Sequence, residues 1–284
     1  MKKLSRTYSI ICMWLCVMSI SSRSSAQEYN WLIQDAERLY HQGLFDEAII
    51  ACERYAYFSS DQKLKHAALL IEAKAFQQKG NYKYSSNILL SIPRILLDKH
   101  VKSLIDFNLA LNSFLDGYYD EAQVYLDNCD TTVMDYSERN NYELIRLFNL
   151  CYLEKWQEAS VLVNDSPFIS DSLKKELIQL LNKPPKLLNQ KRLEWFSRII
   201  PGSGQIFSGY YVEGISSFLL CSGSLALGGL LLINKFYFSA YVLGAGSLYA
   251  FYYGGIRRLN EITQTENQNR KQLFIATIKS KLTE

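Results

Sequence analysis

The chain has 284 residues, 48% hydrophobic and 13% aromatic, with 20 tyrosines and a formal charge of +3. That supplies one large domain or two modest ones and excludes a disordered chain. Lys2, Lys3, Arg6 and Arg23 lie in the first 26 positions, which hold no acid; without them 27 basic residues face 28 acidic ones. So balanced a chain has no bulk electrostatic case for binding nucleic acid.

Residues 1–26 read as a secretory signal peptide. A basic start leads into an apolar run from Tyr8 to Ile20, and Ser24-Ser25-Ala26 offers a small-residue cleavage site before Gln27. The run is about 13 residues, short of the ~20 a spanning helix needs, so cleavage is expected rather than anchoring. Trp14-Leu15 ahead of Cys16 lacks the small residues of a lipoprotein site. Export would place Cys52, Cys129, Cys151 and Cys221 where disulfides form. Their spacing fits no metal motif. Cys129 and Cys151 fall on adjacent predicted helices and could pair, but buried free thiols are the preferred reading.

Residues 27–183 carry an internal period. Gly43-Leu44-Phe45-Asp46-Glu47-Ala48 is echoed by Gly80-Asn81-Tyr82-Lys83-Tyr84-Ser85, by Gly117-Tyr118-Tyr119-Asp120-Glu121-Ala122 and by Glu154-Lys155-Trp156-Gln157-Glu158-Ala159, each 37 residues after the last. Seven residues before each turn stand Ala36, Ala73, Ala110 and Leu147. A small residue midway along a first helix admits a second helix, and a glycine accepts the left-handed backbone that ends the first. An aromatic then plugs the turn, and Ala48, Ala122 and Ala159 begin the second helix's buried face. The pattern resembles the tetratricopeptide repeat, whose usual period is about 34 residues. The resemblance covers residues 29–166 in four copies and implies helix pairs stacked as a solenoid that holds a protein or peptide. Ser85 and Glu154 depart from it. Residues 171–182 would supply a capping helix, and Lys183-Pro184-Pro185-Lys186 marks the boundary.

Residues 186–258 read as a membrane module. Leu193, Trp195, Phe196, Ile199 and Ile200, with interleaved charges, suit a helix lying in an interface. After a break at Pro201-Gly202-Ser203-Gly204-Gln205 come two uncharged runs of 21 residues, 214–234 and 236–256, joined at Asn234-Lys235. The first run holds ten Leu, Ile or Phe residues, worth roughly −3 to −6 kcal/mol on an insertion scale. The second has five tyrosines and needs a partner helix. Ala240/Gly244 and Gly246/Ala250/Gly254 would give the close-approach surface. Pro201, Gly202, Gly204, Gln205, Gly209 and Gly214 resemble the P-G-x-G-Q-x-Y-x-G-x-x-x-x-G signature of small two-pass bacterial membrane domains, with Phe207 where tyrosine is usual. The whole arrangement is similar to uncharacterised envelope proteins of Bacteroidetes-type bacteria. The glycines read as structural, and Gln205 as a donor to carbonyls exposed at the break. Residues 259–284 form a polar tail with a modest amphipathic stretch, placed to dock on the repeats or on another chain.

No catalytic constellation emerges. His41, His66 and His100 match no metal or triad spacing, and the Asp46-Glu47 and Asp120-Glu121 pairs read as solvated first-turn residues. No enzyme activity and no cofactor is expected. The expected fold is all-α, a tetratricopeptide-like solenoid followed by a transmembrane helical hairpin. The expected role is an envelope scaffold on the inner membrane, its repeats facing the periplasm and holding an envelope protein or peptide. The alternative is an oligomeric membrane component of a transport or secretion assembly, self-associating through the hairpin. Arg198, Arg257 and Arg258 favour cytoplasmic flanks by the positive-inside rule. The signal peptide takes precedence here, because long domains translocate largely regardless of charge.

Overall fold

A computed structural model describes residues 30–58 and 62–283; the expected signal peptide and its cleavage site lie outside them. Among the described residues the regular structure is all-helical, with no strand. The chain divides into two compact units, one up to Leu162 and one from Val163.

The first unit holds α1 (Asn30–His41), α2 (Phe45–Phe58), α3 (Gln62–Gln78), α4 (Tyr82–Ser91), α5 (Lys99–Leu115), α6 (Tyr119–Asn128) and α7 (Tyr136–Tyr152). The next helix, α8 (Trp156–Asp165), runs across the boundary. From α1 to α7 each helix packs on the next, and α1 also meets α3 and α5 meets α7. The reason lies in four turns of one geometry. Gly43, Gly80 and Gly117 take φ of +78°, +76° and +84°, and Glu154 takes +62°. At each, the turn residue's N–H donates to the carbonyl three residues back, and the following N–H to the carbonyl five back, as Gly117 to Phe114 (3.1 Å) and Tyr118 to Ser113 (2.8 Å). These are Schellman caps, which close the orphan carbonyls of the helix they end.

Close packing follows from side-chain size. Ala36, Ala73, Ala110 and Leu147 are buried, and so are Ala48, Ser85, Ala122 and Ala159. One turn further on, Cys52, Leu89, Leu126 and Val163 recur at the same spacing with at most 1% of their surface exposed. Asp98 and Asp135, again 37 residues apart, cap α5 and α7 by accepting N–H bonds from Val101 and Glu138, both at 2.8 Å.

The second unit contains α9 (Asp171–Leu181), α10 (Gln190–Ile199), the short α11 (Ser203–Phe207), α12 (Tyr211–Ile233), α13 (Tyr237–Ser239), a π-helical segment Ala240–Gly246 and α14 (Ser247–Thr283). Three features differ from the sequence reading. The segment 171–182, expected to cap the repeats, packs as α9 against α14 within this unit. The tail is no separate element: it is the second half of α14, which continues through Arg257 and Arg258 without a break. The second uncharged run is divided among α13, the π segment and the start of α14. Among the described residues, therefore, one helix, Tyr211–Ile233, is by itself long and apolar enough to cross a membrane.

The tail half of α14 is held by specific bonds. Asn267 accepts from the Leu188 N–H (2.7 Å) and donates to the Leu188 carbonyl (3.0 Å). Arg270 donates to the Lys186 carbonyl (2.8 Å), and Lys281 pairs with Glu176 at 3.5 Å. Leu177, Leu181, Leu259, Ile262, Ile275 and Ile278 are buried.

Candidate functional site

The glycine-rich break after α10 is a junction where four helices, α10, α11, α12 and α14, meet. Gly202 has φ +88°, and a Cβ there would lie 2.0 Å from the Gly214 carbonyl oxygen. A Cβ on Gly204 would lie 2.5 Å from the Leu193 carbonyl oxygen, and one on Gly214 would lie 2.6 Å from that of Gly202. Backbone therefore packs on backbone at Gly202, Gly204 and Gly214. Gly209 is different: it has φ +90° but open space where a Cβ would go, so it serves the turn alone. Pro201 precedes the junction, part-buried.

Gln205 is 1% exposed, and both ends of its amide are bonded. Its Nε2 donates to the Gly255 carbonyl (2.8 Å), and its Oε1 accepts from the Ser197 hydroxyl (3.2 Å). Ser197 Oγ in turn accepts from the Gly204 N–H (2.8 Å). One amide thus ties α10, α11 and α14 together. The carbonyl it satisfies belongs to α14, not to the break itself. Buried polar groups linked in this way hold a geometry rather than offer a nucleophile.

Beyond the junction, α12 and the π segment approach most closely at Gly228 and Gly244, where a Cβ on Gly244 would stand 2.5 Å from the Gly228 Cα. Of the two small-residue stripes, Ala240/Gly244 lies at this contact and is buried. The Gly246/Ala250/Gly254 stripe does not share it; these residues are exposed, and a Cβ on Gly254 would meet nothing.

In the first unit, sequence reasoning missed a polar ladder. Asn112, 1% exposed, donates to Ser85 Oγ (2.8 Å) and Ser86 Oγ (3.2 Å), while its Oδ1 accepts from Gln77 Nε2 (2.7 Å). Asn149, 37 residues on, donates to Gln123 Oε1 (3.0 Å), the counterpart of Ser86. Its Oδ1 is buried with no partner, because Phe114 stands where Gln77 would be repeated. The recurrence of asparagine at the repeat spacing was the available signal.

The titratable groups are placed for packing. Cys52, Cys129, Cys151 and Cys221 are free thiols. Burial pushes the first three up to about 12, which holds them protonated and unreactive. Glu72 is raised to about 7, by burial first and the Glu53 carboxylate second. His100 bonds Glu138 at 2.8 Å, His41 meets the Tyr40 ring edge-on and His66 is buried. Among the described residues no group of three or more His, Cys, Asp or Glu could hold a metal ion.

Compared with known proteins, the chain matches no family model, no curated protein and no solved structure.

Proposed function

We propose that the protein is a membrane-anchored scaffold of the bacterial envelope: tetratricopeptide-like repeats hold a protein or peptide partner, and a two-helix hairpin fixes them to the inner membrane, with the repeats in the periplasm. The observation that carries the anchor is the bonding of α14 to α9 and the linker after it. Leu188 is held by Asn267 and Glu176 by Lys281, so these segments lie on one side of any bilayer. The crossings between them are then even in number. If Tyr211–Ile233 crosses, the following arm, Tyr237 onward, crosses back. The surface of Tyr211–Ile233 supports crossing, since its most apolar stretch is only 17% buried, far more exposed apolar area than water tolerates at low cost. Trp195, Ile199, Ile200 and Phe207, all exposed, suit the interfacial layer.

The partner surface is supported by exposed aromatics on the repeats. Tyr84 and Tyr136 are largely exposed, Tyr84 stacked on Phe76 at 5.8 Å between centroids. Aromatic side chains so presented contribute heavily to protein interfaces. The test replaces Tyr84 or Tyr136 with a photo-crosslinking residue in the full chain in living cells. A discrete adduct to one envelope protein is expected from either position. Absence of any adduct at both, with the chain present in the membrane fraction, would sink the scaffold reading. The exposed Gly246/Ala250/Gly254 stripe favours the second reading, an oligomeric membrane component; a chain that stays monomeric in detergent counts against it.

A further inference from the structure

Two cavities of about 450 and 510 Å³ run along the apolar arms and share Leu225, Ala245 and Leu248. They form one continuous groove on one face of the hairpin. Its inner part is recessed because Gly228 and Gly244 bring the arms together with no side chains between them. The π segment Ala240–Gly246 forms one wall, a helix type that recurs where proteins bind. The outer part opens beside Arg198, Pro201 and the tyrosines at 249, 252 and 253.

The two ends differ in chemistry. Inside, the lining carries no charge and is mostly apolar; the hydroxyl of Ser224 donates to its own helix at the Leu220 carbonyl (2.8 Å), and Tyr237 and Tyr241 are the other polar members. At the mouth, Tyr252 donates to the Arg198 carbonyl (3.0 Å), and the Arg198 guanidinium is engaged by one carboxylate, Glu194, at 2.6 Å. One carboxylate can accept only part of the five N–H donors of a guanidinium. Arg257 and Arg258 share Glu261 (3.9 and 3.4 Å), and Arg258 also pairs with Glu213 at 4.0 Å, which leaves Arg198 as the cation that lines the mouth. An uncharged, mostly apolar shaft that ends at an arginine with unused N–H donors is the complement of an anionic amphiphile.

We propose that this groove is a binding site for an anionic phospholipid, its acyl chain lying along Gly229 and Ala245 and its phosphate at Arg198. The volumes fall in the class that small ligands occupy, and a partner helix would not call for a cation at one end alone. The proposal rests on the hairpin crossing a bilayer.

The full chain is extracted in mild detergent from vesicles of equal phosphatidylglycerol and phosphatidylethanolamine and weighed by native mass spectrometry. One phosphatidylglycerol retained per chain is expected. Ala245 is exposed and shared by both cavities, so Ala245→Leu fills the groove without touching the arm-to-arm contact; it should lower retention by about tenfold, equivalent to ~1.4 kcal/mol. Arg198→Gln should keep a bound lipid but lose the preference for phosphatidylglycerol. Unchanged retention in Ala245→Leu overturns the proposal, as does a dimer without lipid that Ala245→Leu dissolves, which would assign the groove to a second copy. A chain that enters the vesicles but carries no lipid refutes the site alone. A chain recovered soluble without detergent refutes the hairpin reading with it.

Discussion

At Glu154 the backbone takes the left-handed turn that Gly43, Gly80 and Gly117 occupy in the other copies. A side chain in that region costs about 1–2 kcal/mol, and part of this returns as unfolded-state entropy when glycine is introduced. Glu154→Gly should therefore stabilise the protein by ~0.5–1 kcal/mol, read as a higher melting temperature of the full chain. Gly117→Ala should destabilise it by about 1 kcal/mol; a Cβ there meets nothing within 4 Å, so the loss is purely conformational. An unchanged melting temperature in both variants would refute the shared turn geometry. Glu72 supplies a pH dependence. It occupies the repeat position of Leu109, and burial first and the Glu53 carboxylate second raise its pKa from the ordinary 4.5 to about 7. Between those values the folded state keeps a proton that the unfolded state has released, so stability falls as pH rises from 4.5 to 7 and then levels. Glu72→Gln should remove that fall and gain ~1–3 kcal/mol at pH 8. Parallel pH profiles of the two proteins in urea unfolding would contradict it.

Among the elements, the glycine junction separates two kinds of need. Gly202→Ala sets a Cβ 2.0 Å from the Gly214 carbonyl oxygen, whereas Gly209→Ala meets open space. The first should disrupt the second unit, a loss of several kcal/mol or failure to fold; the second should cost about 1 kcal/mol. Near-ultraviolet circular dichroism distinguishes them, and equal behaviour would remove the steric account. The repeat turns were legible in the sequence because a left-handed cap selects glycine at a fixed spacing. Asn112 and Asn149 were not, because a polar residue in a helix reads as surface until its partners are seen. The continuity of α14 was also hidden. Gly254-Gly255 and Arg257-Arg258 look like an end, yet Gly255 is required by Ser217, whose Oγ would lie 2.5 Å from a Cβ. Nor does composition reveal that the arm opposite Gly228 is π-helical, since nothing in Ala240–Gly246 marks the change of hydrogen-bond register.

At the scale of the whole chain the signal peptide and the flanking arginines predict opposite sidedness. On the signal-peptide reading, the repeats and α14's far end face the periplasm and Asn234-Lys235 reaches the cytoplasm. Cysteines placed at Ser172 and Ser280, with the native thiols removed and the outer membrane permeabilised, should both react with a reagent that cannot cross the inner membrane. Protection of both until lysis would move the repeats to the cytoplasm. Reaction of only one would break the even count of crossings that the α9–α14 bonds require. The all-helical class was legible from the 37-residue period and the two uncharged runs of helix-spanning length. Which unit owns residues 171–182 was not, because an amphipathic helix shows one apolar face without naming its partner.

The bonds from Asn267 and Arg270 to Leu188 and Lys186 bridge 79 and 84 residues of chain, and this separation sets an order of assembly. The first unit is built from neighbours in sequence, and such local contacts form fast. The second cannot close until the chain has been synthesised through Arg270. During that interval α12 and the arm after it exist as apolar helices with no clamp at their base, the kind of species that aggregates unless received by a membrane or a chaperone. A bilayer that accepts the arms as they emerge would leave the docking of α14 onto α9 as the final, slow step, with the first unit already folded.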